Sequence, residues 1–183
     1  MKLKDLDPCR YNERKNKYKT LRETWNQATN KDKFWLILKC RSHGSMSRKE
    51  FISLLLNYIK PIEVLMPKKS IDCINQLRDW INGKEVDLHE VRDTAYAAYS
   101  AYSVYSVSHA AASAYSAARA ASSTYFVYSS TYFAYSASHA ADAVADAVAA
   151  DVAVDAKNIE LTIPISLEKV CEYLNLDINE VLE

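Results

Sequence analysis

The chain has 183 residues, enough for one sizeable core or two small ones, and only two glycines and four prolines, too little punctuation for the turns of a β-rich protein. The formal charge is zero, yet residues 1–94 carry 20 Lys+Arg against 13 Asp+Glu and residues 95–183 carry 3 against 10, so the halves are +7 and −7. A basic half can point to nucleic acid, but here an equal acidic half is available to absorb it, within the chain or between copies.

The N-terminus, MKLKDLDPCR, is polar and charged with no apolar run behind it, which predicts no signal peptide. Residues 1–84 then read as a basic head of short amphipathic helices. Thr20-Leu-Arg-Glu23 and Ser47-Arg-Lys-Glu50 fit the capping box, in which a hydroxyl and a carboxylate reciprocally satisfy free amides at a helix start. Apolar residues recur at helical spacing around Trp25, through Phe34 to Leu38, Phe51 to Ile59 and Ile71 to Ile81, and form the candidate core. Asn82-Gly83-Lys84 predicts a helix stop, glycine being able to take the left-handed cap. Cys9, Cys40, Cys73 and Cys171 are far apart and form no CxxC pair, so they read as reduced thiols of a cytoplasmic protein rather than a zinc or redox motif.

Asp87-Leu-His-Glu90 is a looser capping box and opens the second segment, residues 85–157. From Val91 the composition turns to Ala, Ser, Tyr and some Val, and Arg119 is the only Lys or Arg between Arg92 and Lys157. Alanine's helix propensity, with neither Pro, Gly nor a charge block, predicts helix rather than disorder. A single straight helix over 85–157 would run roughly 110 Å, whereas a globule of this size is on the order of 40 Å across. The segment must therefore fold back, and Ala121-Ser-Ser-Thr124, with hydroxyls able to cap a new helix, is the expected break. The expected fold is all-α: a multi-helix bundle with a small N-terminal head and long alanine-rich antiparallel helices. Residues 158–183 read as a linker and two short helices; they resemble the opening of a helix-turn-helix, but the piece is acidic and lacks the support a major-groove helix needs, so no DNA contact is expected.

An internal echo marks the candidate site. Tyr105-Ser-Val-Ser-His109-Ala-Ala recurs as Tyr135-Ser-Ala-Ser-His139-Ala-Ala. Tyr102, Tyr105 and His109 share one helix face, as do Tyr132, Tyr135 and His139, the second stripe being extended by Tyr125 and Tyr128 and by Asp142 and Asp146. Tyr96, Tyr99, Tyr102 and Tyr105 are spaced by threes and rotate around a helix, so some of those rings are expected buried and others not. Tyrosine gives a large rigid face and a hydroxyl at low rotamer cost, which suits either a binding surface or the gaps between alanine-rich helices. As a binding surface, the candidate residues are Tyr102, Tyr105, His109, Arg119, Tyr128, Tyr132, Tyr135 and His139, with Arg119 available for an anionic, nucleotide-like ligand. His109, His139 and Asp142 lack the companions of a metal site, no serine sits in a GxSxG turn, and the Asp142, Asp146, Asp151, Asp155 series reads as solvated or facing the basic half. No cofactor, metal or catalytic residue is called for. The charge-free stretches Thr94–Ala118 and Ala120–Ala141 reach bilayer length, but their Ser, Tyr and His content argues against a membrane span.

The Trp-bearing head, the helix ending Trp80-Ile-Asn-Gly-Lys, the capped start at Asp87 and Val91-Arg-Asp-Thr-Ala-Tyr-Ala-Ala-Tyr opening an alanine ladder together resemble the alanine-rich immunity proteins, the immunity-protein-5-like family of bacterial conflict loci and phages, over roughly residues 20–156. The resemblance implies a small helical cytoplasmic protein that neutralises an opponent by binding, without catalysis. Its expected partners are a protein toxin, a defence effector or a nucleotide-like defence signal, and its expected state is a homo-oligomer. The other reading is a structural module whose alanine ladder assembles copies of itself and binds nothing else.

Overall fold

The computed structural model describes residues 19–28, 33, 36–37, 39–41, 44–101, 105–122 and 162–179. Among these there is no β-strand and the protein is all-α, as its composition predicts. The helices whose bounds are described are α1 (Leu21–Gln27), α2 (Arg48–Ile59), a 3-10 helix (Lys60–Leu65), α3 (Lys68–Ile81), α4 (Leu88–Ser100), α5 (Tyr105–Ser122) and α6 (Leu167–Leu174). The chain forms two compact units, Met1–Ser47 with Ile163–Glu183 and Arg48–Thr162. Helix α3 falls in the same unit as α4 and α5, and the C-terminal residues in the same unit as the N-terminal ones.

In the first unit, α1 begins where the capping box predicts. The Thr20 hydroxyl accepts the Glu23 N–H at 3.1 Å, while the Glu23 carboxylate reaches back one residue further than expected, to the Lys19 N–H at 2.7 Å. Leu21, Trp25, Leu36, Ile37 and Cys40 are buried, as are Leu167, Val170 and Leu174 of α6. Ser166 caps α6 by accepting the Lys169 N–H. Asn175 stops it in the left-handed conformation, φ 51°, which asparagine tolerates, and the Leu176 N–H returns to the Cys171 carbonyl at 3.0 Å. Of the two short helices expected at the C-terminus, one is α6; residues 180–183 lie outside the described residues.

The second unit starts with α2, whose Phe51, Ile52, Leu55, Tyr58 and Ile59 are all buried, each contributing about 1.5–3 kcal/mol by leaving water. Pro61 lies at the start of the 3-10 helix, where its missing N–H costs no hydrogen bond. Helix α3 buries Cys73, Ile74 and Leu77 and ends as the Asn-Gly-Lys sequence predicts. Gly83 takes φ 92°, its N–H bonds the Trp80 carbonyl at 3.1 Å, and the Lys84 N–H bonds the Asp79 carbonyl at 3.0 Å, a complete Schellman stop. Asp87 then caps α4 by accepting the N–H groups of His89 at 2.9 Å and Glu90 at 3.2 Å.

Helix α5 is the centre of this unit and touches α2, the 3-10 helix, α3 and α4. From Ala110 to Ala121 every residue is buried except Tyr115, which is half-buried, and Arg119, which is exposed. A helix covered on nearly all sides needs side chains that let neighbouring backbones approach, which is what alanine and serine supply. The buried Ser116 hydroxyl donates to the Ala112 carbonyl of its own helix at 2.8 Å, so it needs no partner across the interface.

The alanine-rich segment folds back between α4 and α5, a reversal the sequence does not signal. Helix α4 ends at Ser100 and α5, packed along it, starts at Tyr105, so the chain reverses between these two helices; the break expected at Ala121–Thr124 begins at the end of α5 and continues outside the described residues. No glycine, proline or hydroxyl cluster marks that place; burial of both helices against α3 outweighs the uninterrupted helix propensity of the sequence. Helix α5 runs to Ser122, and residues 123–161 lie outside the described residues.

Candidate binding surface

The tyrosines meet where α4 and α5 run side by side. Tyr99 of α4 and Tyr115 of α5 lie parallel, 2° between planes and 6.1 Å between centroids. Tyr96 leans on both, 5.2 Å from Tyr115 and 6.5 Å from Tyr99, with its plane tilted 53–55°. Parallel and tilted ring pairs at these separations are the arrangements favoured by the aromatic quadrupole. The buried face of α4 is Val91, Ala95 and Ala98, so Tyr96 projects beside it and is 53% exposed. Of the triplet-spaced tyrosines, Tyr96 is exposed and Tyr99 half-buried, while the rings of Tyr102 and Tyr105 lie outside the described residues.

Two arginines flank the rings. Arg119 lies four residues after Tyr115 on α5, and Arg92 four residues before Tyr96 on α4, so each shares a helix face with its tyrosine. Because α4 and α5 are joined by only four residues they run antiparallel, which brings these two positions to the same end of the ring cluster. Arg92 is held by Asp93, with Nε at 2.8 Å and Nη2 at 2.7 Å from the same carboxylate oxygen. Arg119 is exposed, and no hydrogen bond or ion pair engages its guanidinium among the described residues.

Another side of α4 borders a groove of about 580 Å³ toward the start of α3, with Lys69, Asp87, His89, Glu90 and Asp93 on its wall. Three carboxylates against one lysine make it a poor seat for an anion. The Glu90 and His89 N–H groups hold the Asp87 carboxyl below its ordinary value, so this carboxylate is kept charged by its capping role. Burial pushes the thiols of Cys40 and Cys73 up to about 12 and about 11, and among the described residues Cys40, Cys73 and Cys171 form no disulfide. A thiol with so little thiolate is a poor nucleophile and packs as a small apolar group.

Of the residues singled out from the sequence, Arg119 stands on the surface beside the ring cluster. Tyr105 and His109 lie one turn apart at the start of α5. Tyr102, Tyr128, Tyr132, Tyr135 and His139, together with Tyr125, Asp142, Asp146, Asp151 and Asp155, lie outside the described residues. The cluster itself, Tyr96, Tyr99 and Tyr115, was not among the sequence candidates. Its signal was the Tyr115-to-Arg119 spacing of four, which places ring and cation together but says nothing of the rings arriving from α4. Among the described residues no group of three His, Cys, Asp or Glu side chains is placed to hold a metal ion, and no helix is long and apolar enough to cross a membrane. Comparisons with protein-family models, with curated proteins and with solved structures give no match.

Proposed function

We propose that this chain is a non-enzymatic binding protein of bacterial or phage conflict, acting in the host cytoplasm, that neutralises a toxin, a defence effector or a defence signal by sequestering it on the α4–α5 face. The observation that carries this reading is the Tyr96–Tyr99–Tyr115 cluster: three rings held together across two helices, one of them more than half exposed, at 53%. Rigid aromatic side chains on a packed scaffold lose little entropy on binding, and they dominate recognition surfaces for that reason. The alanines of α5 bear on the alternative. Ala110, Ala111, Ala112, Ala114, Ala117 and Ala118 are at most 1% exposed within a single chain, so this part of the ladder is already covered and is not free to assemble copies.

The test is protection. The chain is co-expressed with the product of each neighbouring gene, or in a host carrying a defence system, and growth or phage plating is scored. Protection that survives in the wild type and is lost in Tyr96→Ala/Tyr115→Ala, with an unchanged melting temperature, supports the reading; protection unaffected by the double substitution overturns it. Native mass measurement of the same purified protein reports whether it is the expected homo-oligomer.

A further inference from the structure

We propose that the ligand of this face is a small nucleotide, its base stacked on Tyr96 and its phosphate held by the Arg119 guanidinium. The inference rests on the binding reading above and names its chemistry. Tyr99 and Tyr115 are already stacked on each other, which fixes the platform, while Tyr96, tilted against both and 53% exposed, offers ring surface to solvent. Every nucleobase has a π-face, and stacking on an exposed aromatic ring is the common currency of base recognition. Arg119 supplies the complementary half. It is exposed, is engaged by no hydrogen bond or ion pair among the described residues, and follows Tyr115 by one helical turn, a separation of about 5–6 Å between Cβ atoms. Through Tyr115, whose ring centroid is 5.2 Å from that of Tyr96, the stacking surface and the guanidinium share one neighbourhood, and guanidinium's planar fork matches phosphate oxygens.

The charges also limit the size of the ligand. A nucleic-acid strand is held by a groove of many cations. On α4 and α5 together there are two, Arg92 and Arg119, against Glu90 and Asp93, and Arg92 is already engaged by Asp93. One guanidinium left for ligand fits a mononucleotide or dinucleotide, and the acidic groove on another side of α4 would repel a longer phosphate chain.

Isothermal titration of the full chain decides it, using AMP, GMP, CMP and UMP, cyclic di-AMP and cyclic di-GMP, adenosine, inorganic pyrophosphate and a ten-residue single-stranded oligonucleotide. At least one nucleotide is expected to bind, with adenosine and pyrophosphate each much weaker, because each brings only half of the recognition. Tyr96→Ala is expected to weaken it about five- to a hundredfold, Arg119→Ala about tenfold or more, and Arg119→Lys nearly as much as Arg119→Ala because the fork is lost. Melting temperatures of the Tyr96 and Arg119 variants equal to that of the wild type control for folding. No binding of any nucleotide at millimolar concentration, binding indifferent to Tyr96 and Arg119, or preference for the oligonucleotide would each overturn the proposal. If protection still depends on Tyr96 and Tyr115 while no nucleotide binds, the ligand class falls and the sequestration reading stands; if protection is also indifferent to them, both fall.

Discussion

Gly44 offers the sharpest test of how the first unit is held together. A Cβ built on Gly44 would press into the carbonyl oxygen of Tyr173 at the end of α6 and lie 2.7 Å from the carbonyl oxygen of Cys40. Both obstacles are backbone, so no side-chain rotation relieves them. The next residue is tied to the same place, the Ser45 N–H donating to the Tyr173 carbonyl at 3.0 Å. Gly44→Ala must therefore move the end of α6 away from the 40–45 segment. Overpacking costs about 1–3 kcal/mol, and the strained or broken Ser45 bond about 1 kcal/mol more. The lower entropy of the unfolded alanine chain returns about 0.4–1 kcal/mol. The net loss is about 1–3 kcal/mol, which at a urea dependence of about 1–3 kcal/mol/M lowers the midpoint of the transition involving this unit by on the order of 1 M. Urea titration followed by circular dichroism and tryptophan fluorescence, the latter sensing buried Trp25, measures it. A midpoint equal to wild type would refute the close approach of Gly44 to α6.

Gly83 fails for a different reason. A Cβ there meets nothing within 4 Å, but φ is +92°, so Gly83→Ala should cost about 1–2 kcal/mol from backbone conformation alone, with Gly83→Asn recovering part of it in the same titration. The Asp87 cap carries a pH signature: its carboxyl is depressed from 3.8 by the Glu90 and His89 N–H groups, so its contribution is fully present above that unfolded value and is lost as pH falls through the lower folded value. Thermal melts from pH 6 to pH 2 should show wild type and Asp87→Ala differing at the upper end and converging at the lower, and a constant gap would contradict the assignment. In α5, Ala117→Leu should destabilise by about 1–3 kcal/mol, because Ala117 is 0% exposed; a neutral effect on the melting temperature would mean that the helix is not central.

Much of the local structure was legible in the residues. The α1 start at Thr20, the α4 start at Asp87, the stop at Gly83 and the apolar runs that fill the core each depend on groups within one helical turn, and such signals survive wherever the helix is placed. The composition alone determined that the protein would be helical, since alanine without glycine or proline leaves the backbone little else to do. The α4–α5 reversal was not legible, because in a run of Ala, Ser and Tyr every face of the helix resembles every other and no residue at 101–104 breaks helix by itself.

The binding surface divides in the same way. Arg119 could be singled out from the sequence as a rare cation in the Ala/Ser/Tyr segment. That Tyr96 and Tyr99 would meet Tyr115 required knowing which turn of α4 lies beside which turn of α5, and that register is set by the packing of α5 among α2, α3, α4 and the 3-10 helix. The union of the C-terminal residues with the N-terminal ones is likewise tertiary: the Ser45 N–H donates to the Tyr173 carbonyl at 3.0 Å and the Cys40 sulfur lies 3.8 Å from the Val170 carbonyl oxygen, pairings more than a hundred residues apart in the chain. Hydrogen bonds and caps within a turn follow from neighbouring residues. Which small side chains are covered, and which rings remain open to a ligand, follows only from the helices that pack against them.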